Sequence, residues 1–272
     1  MKEQKIIKET CVAGKTIDHV IKLPSGIHIG QRRKRSNITP EAVVKNNDRI
    51  AKRNLTRLIN ANFGTGSGHF TLTYNVEPET PQRGKKDIDY MMRKLRKEMR
   101  KHEQELKYII VTEYKNRRIH HHVILNTIDA SMVDRLWGKG FIKISILDNT
   151  GSYRKLAEYL IKETQKTFRD EDSPRRKRYS PSRNLVKPII KREYVSGAEL
   201  FNDPKPIKGY YIDQDSVRRY EHPVTGLEHL EYTEIAIKKP RKYKAWPRGK
   251  KVRGESRKKV HDVEQVSWLD EF

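Results

Sequence analysis

The chain has 272 residues, and its 59 Lys and Arg against 35 Asp and Glu give a formal net charge of +24 and a pI near 10.0. Such an excess calls for a polyanionic partner, nucleic acid first. A mean hydropathy of −0.91 with no long apolar run excludes a membrane span, and Cys11 as the single cysteine excludes intrachain disulfides and Cys-based zinc sites.

The first residues, "MKEQKIIKET", lack the apolar stretch and small-residue cleavage site of a signal peptide, so a reducing cytoplasm is expected. Residues 1–29 mix short apolar pieces with Gly and Pro. The segment "GQRRKRSNITPEA" then gathers Arg32, Arg33, Lys34 and Arg35 before a helix start, Thr39 as N-cap and Pro40 at the first helical position. That helix is expected to run to about residue 60, burying Val44, Leu55, Leu58 and Ile59, and "GTGSG" at 64–68 reads as a turn.

Past the turn, "HFTLTYN" (69–75) alternates as a strand, with Phe70, Leu72 and Tyr74 on one face and Thr71, Thr73 and Asn75 on the other. Residues 87–101 carry Ile88, Met92, Leu95 and Met99 at helical spacing. "KYIIVTEY" (107–114) and "IHHHVILN" (119–126) read as strands of a hairpin with the loop "KNRR". A short helix at 130–136, a strand at 141–147 and a helix capped by Ser152 and reaching residue 168 follow. The order predicts an α+β fold: a split βαβ or ferredoxin-like antiparallel sheet with helices on one face, leaving the other face for function.

Beyond residue 170 the chain turns basic. Residues 173–192 hold eight Lys or Arg and no acid, a partly β region extends to about 237, and 238–259 hold twelve basic residues and one Glu. The predicted organisation is thus 1–66 (basic and helical), 67–170 (catalytic), 171–237 (basic loop and partly β extension) and 238–272 (basic tail). The basic arms suit backbone phosphates, through Arg175, Arg176, Lys177, Arg178 and Arg183 as well as Arg32 to Arg35, and Tyr179, Tyr243 and Trp246 suit stacking on unpaired bases.

The run "RRIHHHVIL" (117–125) sharpens this. Strand parity puts His120 and His122 on one face and His121 on the other. If Tyr114 pairs with Ile119, Glu113 stands opposite His120 on the same face, with Cβ atoms about 5 Å apart. Glu113, His120 and His122 then form a set suited to one divalent cation, while His121 belongs to the packed side.

A cation there would need an attacking group nearby to cleave a phosphodiester. On the last predicted helix Tyr159 and Lys162 lie side by side at i and i+3, the phenol as nucleophile and the ammonium to stabilise phosphate charge or to lower the phenol's pKa. The composition supplies about three Tyr-x-x-basic pairs by chance and three occur, at Tyr90, Tyr114 and Tyr159. Only the third has Lys, lies on a predicted helix and follows the histidine strand by one helix and one strand. Tyr153, on another face of that helix, is the weaker candidate.

These segments resemble the HUH endonucleases: "FTLTYN" is similar to their first strand motif, "HHH" to their His-hydrophobe-His motif and "YLIK" to their Tyr-x-x-Lys motif. Within that superfamily the chain looks most like bacterial plasmid and phage rolling-circle replication initiators, since "EYKNRRIHHH" and "YSPSRNLVKP" resemble segments of replication proteins. The resemblance spans about 70–188. It implies a nick in one strand of origin DNA, with Mg2+ or Mn2+ on His120, His122 and Glu113, Tyr159 linked to the 5′ phosphate and a free 3′ hydroxyl as primer. The position between the ligand histidines is usually hydrophobic and here is His121, which leaves open an exchange of roles with His120. "AGKT" (13–16) lacks the upstream Gly of a phosphate loop, so no nucleotide cofactor is expected, and a separate host helicase and polymerase are. A conjugative relaxase shares the chemistry, and a noncatalytic nucleic-acid-binding protein with structural histidines shares the charge.

Overall fold

The structure, a computed structural model, describes residues 6–23, 41–114, 118–127, 129–164, 177–222 and 227–238. In chain order the elements are β1 (Ile6–Ala13), β2 (Thr16–Lys22), α1 (Glu41–Asn62), β3 (Gly68–Leu72), α2 (Pro81–Lys101), β4 (Tyr108–Glu113), β5 (His120–Leu125), α3 (Ala130–Trp137), β6 (Ile142–Ile146), α4 (Arg154–Thr164), β7 (Ser180–Pro181), β8 (Ile190–Val195), α5 (Gly197–Phe201), β9 (Tyr210–Glu221) and β10 (Glu228–Ala236). The chain divides into two units, Met1–Lys239 and Pro240–Phe272; the second lies outside the described residues. None of the described helices is long and apolar enough to cross a membrane.

The alternation read in "HFTLTYN" and the hairpin builds one antiparallel sheet of order β6-β3-β5-β4-β7. Phe70, Leu72, Ile110, Val123 and Leu125 share one face and are covered by Ile88, Met91, Met92, Leu95 and Met99 of α2 and by Val133 and Trp137 of α3. Helix α2 starts earlier than its apolar periodicity suggests, at Pro81, because Thr80 caps it by accepting from the Arg83 amide, a Thr-Pro start equivalent to Thr39-Pro40. Its first turns, "PQRGKKD", offer no apolar side chain, so periodicity alone misses them.

The other face is not bare, which corrects the expectation of helices on one face only. Ile109, Val111 and Ile124 meet Ala51, Leu55 and Ile59 of α1 and Ala157, Leu160 and Ile161 of α4. Helix α1 carries two stripes. The apolar one faces this sheet, and a basic one faces the second sheet, of order β8-β1-β2-β10-β9. There Arg49 and Arg53 share Glu231, and Arg57, with a 2 % exposed side chain, pairs with Asp18. Parting such a buried pair costs about 3–5 kcal/mol, so these arginines fix α1 between the sheets.

Residues from both ends of the described chain thus make one sheet. β1 and β2 form a hairpin in the stretch that reads only as mixed apolar pieces, and "AGKT" is its turn. Gly14 has φ +61°, and a Cβ there would overlap the backbone oxygen of Asn60. Gly14→Ala should destabilise the protein by more than the roughly 1–2 kcal/mol that a left-handed backbone costs other residues, because the clash with the end of α1 adds to it. Thermal unfolding reads this, and an unchanged midpoint would contradict it.

Candidate active site

The pairing of β4 with β5 follows the expected register, Glu113 opposite His120 and Val111 opposite His122. Parity therefore separates the three histidines. His121 points into the α2 side, fully buried, where its ring nitrogens lie 2.9 Å from the Tyr74 hydroxyl and 2.9 Å from Thr112 Oγ1. Those two partners, with Trp137 edge-on at 5.7 Å, make it a core residue that locks β5 to its neighbours and to the chain after β3.

On the opposite face one ligand atom from each of Glu113, His120 and His122 lies within 4.8 Å of the others. His120 Nε2 is 3.1 Å from Glu113 Oε2, and the two side chains are 12 % and 7 % exposed. His120 Nδ1 donates to the Arg118 carbonyl at 2.9 Å, which turns Nε2 toward the carboxylate. Burial opposes charge on His120, but the hydrogen bond to Glu113, the Arg118 carbonyl and the charges of Glu113 and Glu163 outweigh it and hold its pKa above the ordinary value. A buried spot that favours a proton in this way also favours a cation. Two imidazoles and a carboxylate fit a divalent ion with positions left for substrate oxygens.

His122 is oriented from the far side by β3. Its Nδ1 lies 3.2 Å from His69 Nε2 and 3.3 Å from Thr71 Oγ1, and the two rings stack at 5.3 Å. His69 is itself held neutral, its pKa pushed down to about 4 by burial and by Lys143. Sequence reasoning missed His69, although the signal was present: two residues before Thr71, it shares the polar face of "HFTLTYN".

Helix α4 delivers the tyrosine. Ala157, Leu160 and Ile161 anchor it on the sheet, and Tyr159, on its outer flank and 41 % exposed, leans over the histidines. Its hydroxyl is 3.5 Å from His122 Nε2, and the rings meet edge-on at 5.3 Å. The residues expected at the site from distant segments, Glu113, His120, His122 and Tyr159, are therefore brought together.

The remaining candidates divide. Lys162 is exposed on α4, and among the described residues it makes no hydrogen bond or ion pair. Tyr153 is buried, donates to the Asp148 carbonyl at 2.8 Å and has its pKa raised to about 12 by burial and Asp148; it is structural. Arg178 corrects its expected role as a phosphate contact: its side chain is 2 % exposed and paired with Asp48 of α1, so it ties the segment down instead of presenting a charge. Tyr179, expected to stack on bases, packs against the core between α1, α4 and the sheet, and burial raises its pKa to about 12. Lys177 and Arg183 are exposed. Arg32, Arg33, Lys34, Arg35, Arg175, Arg176, Tyr243 and Trp246 lie outside the described residues.

Residues 68–168, less than half of the chain, match a family model of replication-associated proteins, the ORF2 type. The matched stretch contains β3 through α4 and every residue of the site just described. No curated protein and no solved structure matches the chain. The match supports a role in replication initiation.

Proposed function

We propose that the protein initiates rolling-circle replication by cutting one DNA strand at an origin through a covalent bond to Tyr159. The observation that carries this is the 3.5 Å approach of the Tyr159 hydroxyl to His122 Nε2, which sets an exposed nucleophile beside the buried Glu113, His120 and His122 group. The strand order β6-β3-β5-β4, with α2 and α3 as the two crossover helices, agrees with a split βαβ unit and with the HUH resemblance. Within the chain this unit corresponds to the 67–170 region.

Glu113, His120 and His122 would hold Mg2+ or Mn2+. When bound, the ion polarises a non-bridging phosphate oxygen and offsets the charge that builds on the phosphorus. The chain's own groups do the rest. α4 fixes the phenol where a phosphate lying over the histidines meets it in line. The Tyr159 oxygen forms a bond to phosphorus as the phenol gives up its proton. The bond from phosphorus to the 3′ oxygen breaks, and that oxygen takes a proton to become the 3′ hydroxyl, while the 5′ phosphate stays on Tyr159. Lys162, one turn along α4, is placed to steady the phosphate's charge. Lys177 and Arg183 remain candidates for backbone contacts, and the polymerase that extends the primer and a helicase would come from the host.

Incubating the full chain with single-stranded fragments of its native replicon and Mn2+, then running a denaturing gel, tests the reading: a protein–DNA adduct supports it, and none with any fragment contradicts it.

His69 should act on the metal set through His122. Loss of a hydrogen-bonding partner behind a metal-ligating histidine lowers affinity by about 10–100-fold, so His69→Ala should weaken Mn2+ binding in calorimetry by that factor. Unchanged affinity would show that His69 merely fills space beside Thr71.

A further inference from the structure

Helix α2 buries one side against the sheet and turns the other outward with Arg93, Arg96, Lys97, Arg100 and Lys101, which together line a shallow groove of about 410 Å³. We infer that this face docks the phosphate backbone of duplex DNA, apart from the place where a strand is cut; the inference rests on the reading of the chain as a DNA-acting protein.

The spacing carries it first. Positions 93, 96, 97, 100 and 101 fall on one helix face, and at 1.5 Å per residue they span about 12 Å. Five charges over that length approach the density of duplex DNA, one charge per roughly 1.7 Å of axis.

Availability carries it next. Among the described residues, Lys101 alone of the five has a carboxylate partner, Glu98 at 3.0 Å. The arginines of α1 differ, since Arg49, Arg53 and Arg57 are all committed to Glu231 and Asp18; their cleft has little charge to spare.

The missing aromatics point to duplex over single strand. A single-strand site pairs a basic groove with bare rings on which bases stack. The rings bordering this groove are covered: Tyr90 lies under Arg93 at 5.6 Å and Lys94 at 4.5 Å, and Tyr108 under Arg96 at 5.9 Å.

Position completes the case. α2 covers the sheet face of Phe70 and Leu72, whereas Glu113, His120 and His122 occupy the other. The chain can thus grip duplex flanking an origin without crowding the strand at Tyr159.

The test measures full-chain affinity for a short blunt duplex over a range of salt concentrations, for the native protein and R93Q/K97Q/R100Q. Each lost phosphate contact removes about 0.9 from the slope of log K against log salt, so the triple variant should lose about 2.7. K97Q/K101Q, which leaves the arginines in place, should lose about 1.8 by the same rule and serves if the triple variant fails to fold. Adduct yield on a short single strand should be unchanged. The slope is read whether or not the chain forms an adduct, so failure of the nicking reading and failure of this one are separable. An unchanged duplex slope in a folded variant overturns the inference, as does a loss seen on single strands alone, or one confined to anionic lipid vesicles.

Discussion

Tyr159→Phe should abolish the covalent adduct while leaving the fold, Mn2+ affinity and DNA binding close to native. The substitution removes one oxygen from a ring that is 41 % exposed, and the anchoring of α4 rests on Ala157, Leu160 and Ile161, so little stability depends on that hydroxyl. The chemistry depends on it wholly, because phenylalanine offers no atom that can bond to phosphorus. Tyr153 cannot substitute: its hydroxyl is spent on the Asp148 carbonyl and burial raises its pKa. An adduct that survives Tyr159→Phe would move the nucleophile elsewhere and end the assignment.

Removing any one of the three candidate ligands should be nearly as severe. Replacing a partner behind a ligand costs about 10–100-fold in affinity, and loss of a ligand itself should exceed the upper end of that range. Glu113→Ala, His120→Ala and His122→Ala are each expected to weaken Mn2+ binding in calorimetry by more than about 100-fold, and to lose adduct formation at low Mn2+. Glu113→Ala also takes from His120 its partner at 3.1 Å, so the His120 pKa should drop in an NMR titration of the metal-free chain, a readout independent of activity. Native Mn2+ affinity in any of the three variants would show that the group is a hydrogen-bonded cluster and nothing more.

How far the sequence reaches depends on the kind of signal each residue carries. The register Glu113 to His120 is legible because a four-residue hairpin loop and strand parity leave few alternatives, and the structure has that pairing. The same parity puts His121 on the packed side, and it lies there against Tyr74 and Thr112. His69 escapes such reading because it stands 53 residues from His122, and only the pairing of Thr71 with His122 across β3 and β5 brings it near. The arginines of α1 read as solvent charge in a one-dimensional pattern, yet Arg49, Arg53 and Arg57 recur every fourth residue and face a sheet assembled from β1, β2 and β8 to β10. Nothing local announces that sheet, since its strands come from both sides of the catalytic segment. Arg178 fails for the same reason: a basic run looks uniform in sequence, and only the fold singles out the member that meets Asp48.

Mass spectrometry of the adduct tests the central claim most directly. After nuclease trimming and trypsin digestion, the nucleotide should be found on the peptide covering residues 156–162, attached through its 5′ phosphate to Tyr159. A nucleotide on any other residue, or a linkage through a 3′ phosphate, would contradict the account.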